Sequence, residues 1–213
     1  MPQATTTFAA GEHGFRFANR FDYSFKFDLP LGGDVELGEL VLGLCGGMCF
    51  AALDYYIAGR PISGGSRVPA AGTELRRHLE RRQFESLVPP GGILKVIEWM
   101  VRPDREVARL TAGGEFRKVR TRIDRGEPAV LALIRKDVRG DPTKNHQVVA
   151  TGYEFNEQTH TLRIDLYDPN HPGRTPNLTF NFSAPEGGIA AMQSTGEPLR
   201  GFFVIDYRKR PPL

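Results

Sequence analysis

The stretch Gly43-Leu44-Cys45-Gly46-Gly47-Met48-Cys49-Phe50-Ala51-Ala52-Leu53-Asp54-Tyr55-Tyr56 decides how the rest of the chain is read. It holds both cysteines and sets a glycine pair between them. From there it runs into a helical pattern in which Phe50, Leu53, Tyr56 and Ile57 share one face, with Gly59 placed to end the helix. A thiol at a helix start has a physical rationale as a nucleophile. The free N–H groups and positive dipole end of the first turn favour a thiolate and an oxyanion beside it. The glycine pair puts the expected helix start after Cys45, at about residue 47. Cys49 is therefore the expected nucleophile and its backbone N–H an oxyanion donor, with Cys45 read as a small buried apolar residue.

Downstream, the pattern turns from helix to strand. Thr73 is an N-cap signal for a helix through about Leu87, stopped by Pro89-Pro90. Its arginines (76, 77, 81 and 82) alternate with Glu74, Glu80 and Glu85, which reads as a solvated face rather than a nucleic-acid surface. Further helices are expected over residues 93–101 and 115–124, the latter ending at Gly126. Residues 128–134 form a buried-strand run. Residues 146–155 and 161–167 read as a hairpin around Asn156-Glu157-Gln158-Thr159, with later strands at 178–182 and 202–207. Near the N-terminus, residues 1–12 read as a loose end. Phe15, Phe17, Phe21, Tyr23, Phe25 and Phe27 fall mostly on alternate positions, a strand signal over about 13–30. Residues 60–72, rich in Gly and Pro, read as a loop bordering a cleft. The expected class is α+β in one domain over 1–213, with a helical part over about 47–125 and an antiparallel sheet over about 128–208.

The base follows from chain geometry. Of five histidines, only His146 opens a strongly apolar strand after a polar loop. Asp168 ends the partner strand at about the same distance from the hairpin turn. An antiparallel ladder brings the two to one end. The expected triad is Cys49, His146 and Asp168: His146 takes the thiol proton, and Asp168 fixes the imidazole tautomer. A zinc site made from the same residues lacks the paired Cys/His spacing of structural zinc, so no metal or cofactor is expected.

With these residues in hand, the chain resembles the papain-like cysteine peptidase superfamily, most closely its C39-like branch. The resemblance is carried by Cys45-Gly46-Gly47-Met48-Cys49-Phe50-Ala51, Ile123-Asp124-Arg125-Gly126-Glu127-Pro128-Ala129-Val130, His146-Gln147-Val148-Val149-Ala150-Thr151-Gly152-Tyr153 and Asp168-Pro169-Asn170, in that order over about 40–170. It implies a nucleophile helix packed on an antiparallel sheet and a cysteine peptidase or related thiol hydrolase. Its substrate would be a peptide or amide bond, split through an acyl-enzyme. An acyltransferase with the same triad, or a catalytically silent fold binding a peptide or partner protein, is the alternative. The family's oxyanion Gln a few residues before the nucleophile has no counterpart at positions 40–48, which leaves Gln147 and Asn145 as candidate donors.

Bulk properties bound this reading. The 213 residues are 40% hydrophobic and 25% charged, a globular composition, and the net charge of +3 gives little support to a polyanion binder. No run approaches the 18 or so apolar residues of a membrane span, and no secretory signal is visible. Two close cysteines read as free thiols, so the expected location is cytoplasmic.

Overall fold

The computed structural model describes residues 1–21, 23–25, 40–87, 92–136, 141–183 and 190–213. Its main sheet is built from β4 (Ala129–Arg135), β5 (His146–Asn156), β6 (Thr161–Tyr167), β7 (Asn177–Asn181), β8 (Ala190–Gln193) and β9 (Pro198–Val204). All neighbours are antiparallel, and β4 pairs with β9 on one side and β5 on the other. Strand β6 pairs with both β5 and β7. The ring β4-β5-β6-β7-β8-β9 therefore closes into a six-stranded barrel. This corrects the α+β papain-like expectation of a nucleophile helix packed on a sheet. The sequence pattern specifies alternating faces, and closure depends on which edges meet. Register shifts between Ile134 and Arg135 and between Ala150 and Gly152 supply the local bends that help a sheet curl.

The eleven-residue β5 has room for more than one neighbour along an edge. Its first half pairs with β4, and Gly152–Glu154 pair with β1 (Gln3–Thr5). The N-terminus expected to be loose is thus tied into the sheet, and α1 (Ala10–His13) follows it. Alternate residues fill one face of the ring: Leu131, Leu133, Val148, Leu162, Ile164, Leu178, Phe180 and Phe202 are all buried in one cluster. Phe180 and Phe202, from non-adjacent strands, meet with ring centroids 5.2 Å apart. Burying each such side chain contributes about 1.5–3 kcal/mol. Beyond the short β8, the β9 N–H groups of Phe202 and Val204 are taken by the Thr111 hydroxyl and the Glu115 carboxylate. These come from a π turn (Thr111–Glu115) between α5 (Asp104–Leu110) and α6 (Phe116–Ile123).

The other face of β4, β5 and β9 packs on a second cluster whose centre is α2 (Cys45–Ile57). Every residue from Gly46 to Tyr55 is buried, Asp54 included, so the helix is covered on all sides rather than on the one face that its spacing marks. Helix α2 ends before Gly59, whose φ of 63° suits glycine. Phe15, Phe17 and Phe21 pack beside α2, but their backbone is irregular. Their alternation marks inward positions without making a ladder. Strand β2 (Tyr23–Phe25) pairs with β3 (Leu40–Leu42), and the rest of the 13–30 strand expectation, residues 22 and 26–30, lies outside the described residues.

Helix α3 (Glu74–Leu87) crosses the start of α2, with Thr73 Oγ1 accepting the Arg76 N–H as an N-cap. The solvated-face reading of its arginines is corrected at Arg76 and Arg82, both buried; Arg82 is 0% exposed. Its Nε lies 2.8 Å from the Asp54 carboxylate of α2, and it donates to the Arg208 carbonyl and stacks over Phe50. Tyr207 Oη and the Arg210 N–H donate to Asp54 Oδ1. A buried ion pair needs supporting hydrogen bonds, and these bind α2, α3 and the 207–210 segment together. Helix α4 (Ile93–Val101) follows, with Trp99 buried against Phe203. No helix among the described residues is long and apolar enough to cross a membrane.

Candidate active site

Helix α2 begins at Cys45, not near residue 47. The Gly46-Gly47 pair lies inside its first turn because α3 passes directly over it. A Cβ on Gly47 would stand 2.2 Å from the Leu79 carbonyl, and one on Gly46 would stand 2.2 Å from Ser86 Oγ. The glycines, expected to delay the helix, instead let a second helix approach, and the two cysteines exchange their expected places. Cys45 is the first residue of the helix and remains partly accessible, while Cys49 lies one turn deeper and is 0% exposed.

The two thiols have opposite surroundings. Cys49 Sγ donates to the Gln147 carbonyl at 3.4 Å. Burial, together with the charges of Cys45 and Asp168, pushes its pKa well above the ordinary thiol value. The Cys45 thiol and the His146 imidazole line one pocket, and the imidazole is the ionisable group that acts most on the thiol. Burial works against its thiolate too. The His146 hydrogen bond and charge, with backbone hydrogen bonds at Gln147 and Gly46, outweigh it and hold Cys45 below the ordinary thiol value. The structure thus places Cys49 apart from the expected arrangement: its sulfur donates to a carbonyl, and its amide is interior to the helix rather than one of the free N–H groups of the first turn.

His146 and Asp168 come together as the hairpin count anticipates. His146 Nε2 is 2.7 Å from Asp168 Oδ1, both residues buried at one end of the barrel. His146 opens β5 opposite Leu133 on β4, and Asp168 follows the end of β6. With Nε2 committed to Asp168, Nδ1 is the nitrogen left for the thiol. Burial disfavours the imidazolium, yet the Asp168 charge and hydrogen bond, aided by Cys45, raise His146 to about 10. Burial would also raise Asp168, but His146, the Asn170 N–H (2.8 Å) and Gln193 hold it at about 2. Gln193, from β8, donates Nε2 to Asp168 Oδ2 at 2.5 Å.

The helix start is clamped to this pair. Asn19 Oδ1 accepts the Leu44 N–H at 2.7 Å and its Nδ2 donates to Asn170 Oδ1 at 3.1 Å. The Asn19 N–H reaches the Pro169 carbonyl. Asn19 therefore joins the first residues of α2 to the Asp168-Pro169-Asn170 turn.

Oxyanion donors fall differently from expectation. Leu44, Gly47 and Met48 spend their N–H groups, and that of Cys45 has no hydrogen-bond partner among the described residues. The Asn145 carboxamide is occupied in its own loop, Oδ1 accepting from the Arg135 N–H and Nδ2 donating to Pro142 O and Met100 S. Gln147 Nε2 donates to Ser86 Oγ at 3.3 Å. The available carboxamide is Gln83 of α3. Its Oε1 accepts the Gly47 N–H at 2.8 Å, which fixes the amide orientation, and Gln83 lines the same pocket as Cys45 and His146. Its Nε2 has no hydrogen-bond partner among the described residues. Gln83 stands 38 positions after Cys45, so no search upstream of a cysteine finds it. The signal for it is structural: a glycine pair that admits one face of α3. Residues 60–72 do not line this pocket.

Among the described residues, no group of three or more His, Cys, Asp or Glu side chains is arranged to hold a metal ion. No family model, no curated protein and no solved structure matches the chain.

Proposed function

We propose that the protein is a thiol hydrolase that splits a peptide or amide bond through an acyl-enzyme on Cys45. The observation that carries this reading is the Cys45–His146–Asp168 arrangement at a helix N-terminus, in which one thiol alone is matched to a base. The Cys45 thiolate attacks the carbonyl carbon, and the developing oxyanion lies against the Cys45 N–H and Gln83 Nε2. Protonated His146 gives its proton to the departing amine, then takes one from water as the thioester is hydrolysed and the acid leaves. Asp168, held by Gln193 and the Asn170 N–H, keeps the imidazole oriented throughout. An amine in place of water would make the same acyl-enzyme a transferase intermediate.

Thiol alkylation mapped by mass spectrometry tests this. Iodoacetamide is expected to modify Cys45 and spare Cys49, at a rate that stays high below pH 8 and collapses in His146→Ala. A Cys45 that titrates like an ordinary thiol, near about 8.5, would remove the physical basis of the reading.

A further inference from the structure

The pocket at Cys45 also constrains what can be acylated there. It has a volume of about 40 Å³ and is bounded by Leu87, Ile93, Val96, Ala132 and Pro142 besides the polar residues already named. A single water needs about 10–15 Å³ of such space, so the pocket has room for about three or four small groups. Leu87 lies one helical turn beyond Gln83, on the same face of α3. The apolar wall thus adjoins the oxyanion donor, where the substituent of a bound carbonyl must lie. None of the described lining residues is Asp, Glu, Lys or Arg. The one charge on the lining, the His146 imidazolium, is already matched by Asp168 and the Cys45 thiolate, so a charged group entering here would lose its hydration without an unspent partner.

We propose that the acyl group transferred to Cys45 is short, apolar and uncharged, with a chain of no more than about four carbons. This rests on the thiol-hydrolase reading and narrows it. In the test reaction, the Cys45 sulfur bonds to the acyl carbon as the bond to the p-nitrophenolate oxygen breaks. Water then cleaves the thioester, returning the thiol and releasing the carboxylic acid.

The experiment compares p-nitrophenyl acetate, butyrate and octanoate, which share one leaving group. It reads the nitrophenol burst and the acyl mass on Cys45 in the intact protein. Acylation by acetate and butyrate is expected to be at least about tenfold faster than by octanoate. Leu87→Ala is expected to narrow that gap by speeding octanoate. Octanoate reacting as fast as acetate in the unaltered protein overturns the size limit and leaves the hydrolase reading standing. No acyl mass on Cys45 from any of the three overturns the hydrolase reading itself. The chain-length series needs no variant, so misfolding of Leu87→Ala does not rescue the proposal.

Discussion

Cys45 and Cys49 are the same residue type one helical turn apart, and the difference between them shows what makes a thiol reactive. At Cys45 the helix is just beginning, the residue's own N–H has no partner among the described residues, and an imidazole held by a carboxylate lines the same pocket. At Cys49 the sulfur is sealed beneath β5 and donates to a carbonyl, an environment that favours the neutral thiol. Burial acts against the charge at both sites. Only at Cys45 do a cation and donors overcome it.

The comparison breaks most sharply by exchanging the two residues' fates. Cys45→Ala is expected to lower kcat for ester hydrolysis by about 10⁴-fold or more, to the level left by binding alone. Cys49→Ala should leave kcat within a few-fold of the unaltered protein and cost about 1 kcal/mol in urea unfolding for its lost buried contacts. The reverse ranking would return the nucleophile to Cys49.

Removing the donor on α3 tests the helix start from the other side. Gln83→Ala should lower kcat by about 10²–10³-fold with little change in KM, because an oxyanion donor acts on the transition state. A variant that raises KM alone would make Gln83 a ground-state contact.

The close approach of α3 predicts a stability effect. Gly47→Ala puts a methyl against the Leu79 carbonyl and is expected to destabilise by about 1–3 kcal/mol, read as a lower urea midpoint at unchanged slope. Gly59→Ala, at the far end of the same helix, meets no side chain but is strained by its positive φ, and its cost should be about 1 kcal/mol.

The smallest effect is a displacement along the pH axis. The nucleophile is the deprotonated thiol, so a depressed Cys45 pKa moves the acid limb of the alkylation profile below the ordinary thiol value. The imidazolium that stabilises it persists until about pH 10. Between these limits the pair is thiolate and imidazolium, and reactivity should plateau. In His146→Ala the acid limb should rise to or above the ordinary thiol value, as burial then acts unopposed by the imidazolium. An unmoved limb would mean that the backbone N–H groups, not His146, ionise the thiol.

Local pattern was enough for several parts of the molecule. The helices at 74–87 and 93–101 and the β5–β6 hairpin follow from caps, apolar spacing and a turn, all of which are short-range. The pairing of His146 with Asp168 was legible for the same reason: a hairpin converts sequence distance from its turn into spatial position. Strands β1 and β8 and helix α5 were not legible. Each is short; β1 owes its ladder to an edge supplied by distant residues, whereas β8 pairs with its sequence neighbours β7 and β9.

What the sequence by itself determined is therefore the chemistry available: two thiols near a helix start, and one histidine with its carboxylate at a strand end. Which thiol meets the base was decided only by tertiary structure. The glycine pair has one meaning to the chain alone, where it weakens a helix, and another beneath α3, where a missing Cβ lets two backbones touch. The same packing brings Gln83 to the pocket and buries Arg82 against Asp54. Barrel closure is a further property of this kind, because the pairing that shuts the ring, β9 with β4, depends on curvature accumulated around all six strands. Period-2 patterning encodes which face a residue occupies, and carries no record of where a sheet's edges meet.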